Sequence, residues 1–200
     1  AITALLFLIS VIFLIKNRLY TSYLIMALTL TFRPDMIVAA GLAGLLPIFN
    51  KDFRMPILNS IMFLSIYFFI SASISHNGWW SHFYTSLVST QSNLNLFDPS
   101  FDLNKYFEIL IGNTLWVLND INYIVWFSLT FIIIFMSAYF VLEKKSQWIN
   151  LIALSLSVAI IIKFIIFPKV DSRVYLSILV PAIYAFSLNS LNLRERIDSK

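Results

Sequence analysis

The 200-residue chain contains no cysteine, only four glycines and few charged residues. Without cysteine it forms neither disulfides nor thiolate metal sites, and it has no cysteine nucleophile. Charged residues make up 12% of the chain, about half the share found in soluble domains. Few glycines argue against a tightly packed transporter bundle, in which small residues let helices approach. The chain also lacks a Walker loop, a dinucleotide fingerprint and a G-x-S-x-G elbow, so no motif supports ATP-driven transport or serine hydrolysis.

Apolar residues dominate what is present. They account for 60% of the sequence, and mean hydropathy is +0.84. Charged residues occur in short clusters between long apolar runs, which is typical of polytopic membrane proteins. The net charge of +4 does not indicate nucleic-acid binding, because the basic residues flank these runs. The chain begins at Ala1, inside an apolar run. We interpret residues 1–200 as a single transmembrane domain, the C-terminal part of a longer protein.

The apolar runs predict an all-α, polytopic transmembrane helical bundle of about five full spans plus one broken helix. The predicted full spans are residues 1–15, 56–72, 121–142, 148–167 and 174–191, and the interrupted run is residues 20–49.

Arg33, Pro34 and Asp35 interrupt the apolar run 20–49. A charge at mid-membrane costs about 2.5–3.5 kcal/mol on insertion scales, and proline removes a helical hydrogen bond. The residue before a proline avoids α geometry, so a break is expected between Phe32 and Arg33. Basic clusters lie on both sides of the run, which favours a half-membrane hairpin whose ends share one side. A single kinked and tilted span is the alternative.

The Lys and Arg distribution predicts the orientation, since cytoplasmic loops are enriched in these residues. It places the long loop 73–120 outside and the C-terminus in the cytoplasm. Within that loop, residues 103–112 form a predicted short amphipathic helix, capped by Asp102 and lying on the membrane or packed on the protein. Nine cations are then inside (16, 18, 51, 54, 144, 145, 194, 196 and 200) and three lie in outside loops (105, 169 and 173).

Five charged residues are candidates for a substrate site. Arg33 and Asp35 can bind an anionic group or orient a water, or can pair to cap the helix break. Lys163, Lys169 and Arg173 place three cations near the outer interface. Arginine would bind a phosphate as a bidentate fork and lysine as a point charge. The alternative for Lys163 is snorkelling to the outer headgroups.

Aromatic and histidine residues of the long loop form a second set of candidates. Trp79 and Trp80 fit an interfacial belt or a platform that stacks on sugar rings. His76 and His82 flank them without the spacing of a metal motif. No metal site is predicted from them, and a divalent ion held by loop carboxylates has no supporting motif.

Two stretches resemble the GT-C class of integral-membrane glycosyltransferases. The first is LLFLISVIFLIKNRLYTSYLIMALTLTFRPDMIVAAGLAGLLPIF, in which an apolar helix and a short basic loop precede an Arg-Pro-Asp motif. The second is DSRVYLSILVPAIYAF, a charged turn followed by a final span with an internal proline. The resemblance covers residues 1–49 and 167–186. Met36 follows Arg-Pro-Asp where glycine is common in that class.

The resemblance implies a cell-envelope enzyme of polysaccharide biosynthesis, located in a bacterial inner membrane and with an extracytoplasmic site. Its donor substrate would be a polyprenyl-phosphate-linked sugar, and its partners would be membrane lipids and an envelope glycan, lipid or protein acceptor. In this class the acidic residue that acts as catalytic base lies in the first outer loop. That residue is therefore expected upstream of this chain. The residues expected to bind the lipid phosphate or another part of the substrate are Arg33, Asp35, Lys163, Lys169 and Arg173.

Two other functions are open at this point. One is a flippase or transporter for polysaccharides or lipid-linked oligosaccharides, which would carry alternating-access repeats that the sequence does not show. The other is an O-antigen polymerase or ligase, whose large outer loop carries arginines. The loop 73–120 contains no arginine.

Overall fold

The computed structural model describes residues 2–33, 36–74, 103–143, 147–166 and 172–198. Within these ranges the side chains of residues 67, 70–74, 105, 172–174 and 190–198 are not described. Every element in the described ranges is a helix, and no strand occurs there, which confirms the all-α prediction. The helices are α1 (Ile2–Ile15), α2 (Leu19–Phe32), α3 (Ile37–Leu45) followed by the 3-10 helix η1 (Leu46–Asn50), α4 (Arg54–Ile74), α5 (Leu103–Asn119), α6 (Ile121–Leu142), α7 (Gln147–Ile166) and α8 (Ser172–Asp198).

The break at the Arg-Pro-Asp motif reverses the chain direction. α2 ends at Phe32, as predicted, and the Arg33 N–H still donates to the Thr29 carbonyl at 2.9 Å. The Tyr23 hydroxyl, early in α2, donates to the Gly44 carbonyl, late in α3, at 3.2 Å. α3 therefore runs back beside α2, and the two helices form a hairpin instead of one kinked rod.

Contacts between helices define two ends of the bundle. One end, here named the basic end, holds the α1–α2 and η1–α4 connections with Lys16, Arg18, Lys51 and Arg54. The Trp148 indole N–H donates to the Leu14 carbonyl at 2.9 Å, which places the start of α7 at the basic end as well. The opposite end, the Arg33 end, holds the α2–α3 break and the C-terminus of α7.

The core lies between α1, α2, α3, α7 and α8, while α4 and α6 pack at its edge. Alanines in α3, α7 and α8 let these helices approach closely. The core side chains include Phe7, Val11, Leu14, Tyr23, Met26, Ala39, Ala43, Ile152, Leu156, Ala159, Ile178, Ala182 and Ala185.

Two described helices, α6 and α7, are long and apolar enough to cross a membrane. Among the described residues two helices therefore meet this criterion of length and apolarity, whereas the sequence predicted about five full spans. The shorter apolar stretches are Ile2–Ile15, Leu19–Phe32, Ile37–Asn50, Arg54–Ile66 and Tyr175–Asn189.

Two helices extend further than expected. α5 continues seven residues beyond the predicted end at Gly112, because that glycine stays helical and Val117 is buried in the next turns. α8 continues to Asp198 through a charged segment of arginine, glutamate and leucine, which are good helix formers. The predicted cap of α5, Asp102, lies outside the described residues.

Candidate functional site

Arg33 lies at the Arg33 end, where α2 stops. Its backbone is extended, with φ −141° and ψ 83°, and its carbonyl accepts from the Met36 N–H at 3.1 Å. Its side chain is half-buried and lines a cavity of about 440 Å³.

The cavity next to Arg33 has walls from α1 and α8. Leu5, Leu176 and Val180 are partly exposed, so the cavity opens to the side of the bundle. The described lining combines one cation, two hydroxyl groups and apolar surface, and none of it is a carboxylate. Such a wall suits a ligand with an anionic head and an apolar chain. The remaining lining residues are Thr3, Ala4, Leu8, Ser177 and Pro181.

Lys163 is buried in the last turn of α7, with 3% of its surface exposed. Its Nζ lies 5.1 Å from the centroid of the Tyr175 ring, which is itself buried. A desolvated cation over an aromatic face gains about 2 kcal/mol or more. The side chain thus turns into the protein, which differs from the snorkelling alternative.

The aromatic surroundings of Lys163 come from three helices. The rings of Phe127 and Phe164 lie 5.9 Å and 6.5 Å from that of Tyr175. Phe127 and Phe164 also contact each other edge to face at 5.3 Å. These rings pack against Tyr175 and hold its ring over the Lys163 ammonium group.

The two cation sites border the same turns of α8. Tyr175 covers Lys163, and the next two residues, Leu176 and Ser177, line the Arg33 cavity. Arg33 and Lys163 are far apart in sequence, and the fold brings them to one end of the bundle on two sides of α8.

α5 closes the bundle next to Lys163. The Tyr106 hydroxyl donates to the carbonyl of Ile165 in the last turn of α7. Desolvation by burial raises the pKa of the Tyr106 phenol, so the group stays protonated as a donor. Further along α5, Trp116 stacks on Tyr123 with ring centroids 4.8 Å apart. These two contacts fasten α5 to α6 and α7.

The structure describes only the backbone of one of the remaining predicted site residues. Arg173 lies in the first turn of α8, and its side chain is outside the described part. The other six candidates also lie outside the described residues. They are Asp35, Lys169, Trp79, Trp80, His76 and His82.

Sequence reasoning missed Tyr175, Tyr106 and the two hydroxyl residues of the cavity. A tyrosine among many aromatic residues carries no signal of a cation partner on another helix. In the described ranges no group of three or more His, Asp or Glu side chains could hold a metal ion.

No protein-family model, curated protein or solved structure matches this chain. Its function is therefore inferred from the residues and their geometry.

Proposed function

We propose that this chain forms the membrane domain of a glycosyltransferase that takes a sugar from a polyprenyl-phosphate carrier. The first support is the surface of α6. Only 17% of the apolar stretch of this helix is buried inside the protein. Such exposure is unlike that of the core helix of a water-soluble protein. At 1.5 Å per residue its 22 residues extend about 33 Å, which matches a hydrocarbon core of about 30 Å.

The hairpin fits a half-membrane insertion in this arrangement. α2 has 14 residues and extends only about 21 Å, too short for a crossing. The basic end faces the cytoplasm under the positive-inside rule. Arg33 then lies within the bilayer, toward the extracytoplasmic side, together with Lys163.

The Arg33 cavity is the observation that carries the proposal. Its apolar walls and lateral opening suit an isoprenoid chain, and its arginine suits the phosphate at the end of that chain. When the sugar leaves, negative charge develops on this phosphate. Cations already positioned there stabilise the transition state, the general form of electrostatic catalysis. Lys163 adds positive charge from the other side of α8, and Lys169 and Arg173 complete the proposed cations. Asp35 belongs to the proposed substrate site as a residue that orients a water.

Sugar transfer by the full-length protein in lipid nanodiscs tests this proposal. A radiolabelled polyprenyl-phosphate hexose serves as donor, and released polyprenyl phosphate is measured. Removing a stabilising donor of this kind costs about 10²–10³-fold in rate, so we expect such a loss in Arg33→Ala and Arg173→Ala. Arg33→Lys should recover part of the activity, because a point charge replaces the fork.

The matched control is Arg54→Ala, which removes an exposed arginine at the opposite end. It should retain wild-type transfer. Melting temperatures of all variants separate loss of function from loss of fold. Wild-type transfer in both Arg33→Ala and Arg173→Ala would overturn the proposal. Donor binding and movement across the membrane without transfer would instead support the transporter.

A further inference from the structure

A second cavity lies at the basic end of the bundle. It measures about 480 Å³ and is formed where the α1–α2 connection meets the start of α4. One wall is the first turn of α2 and the residues just before it. The other wall is Asp52 and Met55. The lining from the first wall is Asn17, Arg18, Leu19, Tyr20 and Thr21.

The charge around this cavity is strongly positive. Arg18 lines it, and Lys16, Lys51 and Arg54 are exposed on the adjoining residues. Asp52 is the one carboxylate in the described lining. That carboxylate already accepts the N–H groups of Arg54 at 3.1 Å and Met55 at 3.4 Å, where it caps α4. Four cations therefore surround one acid that is engaged with backbone donors.

The start of α2 adds to this preference for anions. The Arg18 side chain precedes α2 without making a capping hydrogen bond. The first N–H groups of a helix lack helical partners, and the helix dipole places partial positive charge at that end. The first turn of α2 lines the cavity, so its backbone supports the same charge sign as Arg18.

Exposed aromatic rings place the cavity at the membrane surface. Tyr20, Phe49 and Phe53 expose 62%, 69% and 61% of their surfaces at the basic end. Tyrosine concentrates at the headgroup level of membrane proteins, and the two phenylalanines add apolar surface beside it. Alternating cations and rings in one short region match a lipid interface, where phosphates and acyl chains meet.

We propose that this cavity binds the headgroup phosphate of an anionic phospholipid in the leaflet on the basic side. Arg18 forms the charged hydrogen bonds to the phosphate oxygens, and Thr21 and Asn17 offer hydrogen bonds to the remaining oxygens. Lys16 and Lys51 strengthen the local positive potential. The inference rests on the membrane placement of the chain and is independent of sugar transfer.

Lipid titration of the full-length protein tests this site. Detergent-purified protein is titrated with phosphatidylglycerol or phosphatidylcholine, and bound lipid is counted by native mass spectrometry without any sugar donor. Wild-type protein should retain phosphatidylglycerol preferentially. Arg18→Gln should weaken this binding about 5- to 10-fold, the value of one basic contact near a membrane. Arg18→Lys should bind with intermediate affinity.

The control variant is Lys144→Gln, which removes one positive charge from the sequence between α6 and α7. Lipid retention at the wild-type level in this variant supports a defined site. An equal loss in Lys144→Gln and Arg18→Gln would overturn the proposal, since diffuse charge would explain both. Equal retention of the two lipids by wild-type protein would overturn it as well. Displacement of the lipid by millimolar inorganic phosphate would show a free-phosphate site and refute the lipid assignment.

Discussion

The two glycines of α3 provide a sharp test of how the hairpin packs. A Cβ added at Gly44 would lie 2.2 Å from Asn59 Nδ2 and 3.2 Å from Asn59 Cγ on α4. A Cβ added at Gly41 would meet nothing within 4 Å. The same substitution in the same helix therefore probes crowding in one case and helix propensity alone in the other.

Gly44→Ala and Gly41→Ala should change stability in opposite directions. Replacing glycine with alanine inside a helix gains about 0.5–1 kcal/mol. Crowding a packed site costs about 1–3 kcal/mol, with the lower half expected here because Asn59 is half-buried and its amide can rotate. Gly41→Ala should therefore stabilise the protein by about 0.5–1 kcal/mol. Gly44→Ala, which combines the same gain with a crowding cost of about 1–2 kcal/mol, should destabilise it by up to about 1.5 kcal/mol.

Thermal unfolding in detergent, followed by tryptophan fluorescence, measures this difference. One kcal/mol corresponds to about 2–4 °C for a chain of this size, so the two variants, which differ by the crowding cost, should melt about 2–8 °C apart. Adding Asn59→Ala to Gly44→Ala should remove most of the penalty, as a double-mutant cycle detects for residues in contact. Equal melting temperatures for the two glycine variants, or no rescue by Asn59→Ala, would refute the packing of α3 on α4.

Two further substitutions test the basic end of the bundle. Trp148→Phe removes the hydrogen bond to the Leu14 carbonyl and should lower the free energy of unfolding by about 1–2 kcal/mol. An unchanged melting temperature would contradict a stabilising role for this hydrogen bond between α1 and α7. Lys51 has a left-handed backbone, with φ 61°, which costs a non-glycine residue about 1–2 kcal/mol. Lys51→Gly should raise the melting temperature above that of Lys51→Ala, which loses the same charge but keeps the strain.

Local rules predicted the points where helices start and stop. The restriction that proline places on the preceding residue gave the end of α2 at Phe32. α6 has the expected bounds, because it lies between the capping Asp120, whose side chain accepts from the Asn122 N–H at 2.9 Å, and Glu143. Where a single glycine was taken as a stop, at Gly112, the prediction was wrong, since an exposed glycine weakens a helix without ending it.

The partners of the candidate residues could not be predicted in this way. Lys163 was equally compatible with snorkelling and with a binding site, and burial is a property of the assembled helices. Its contact with Tyr175 depends on the register between α7 and α8, which the connecting turn sets. Likewise, the cavity wall opposite Arg33 comes from both ends of the chain, and no sequence pattern links Thr3 to Ser177.

The hairpin also has a consequence for the order of assembly. α3 packs mainly on α7, which begins about 100 residues later in the chain. At a synthesis rate of 5–20 residues per second, α3 waits about 5–20 s for that partner. During this interval α3 has its contacts with α2 and α4 but not those with α7. In the membrane placement proposed above, insertion factors that shelter incomplete helices would act in this window, and completion of α7 would fix Arg33 at its final depth.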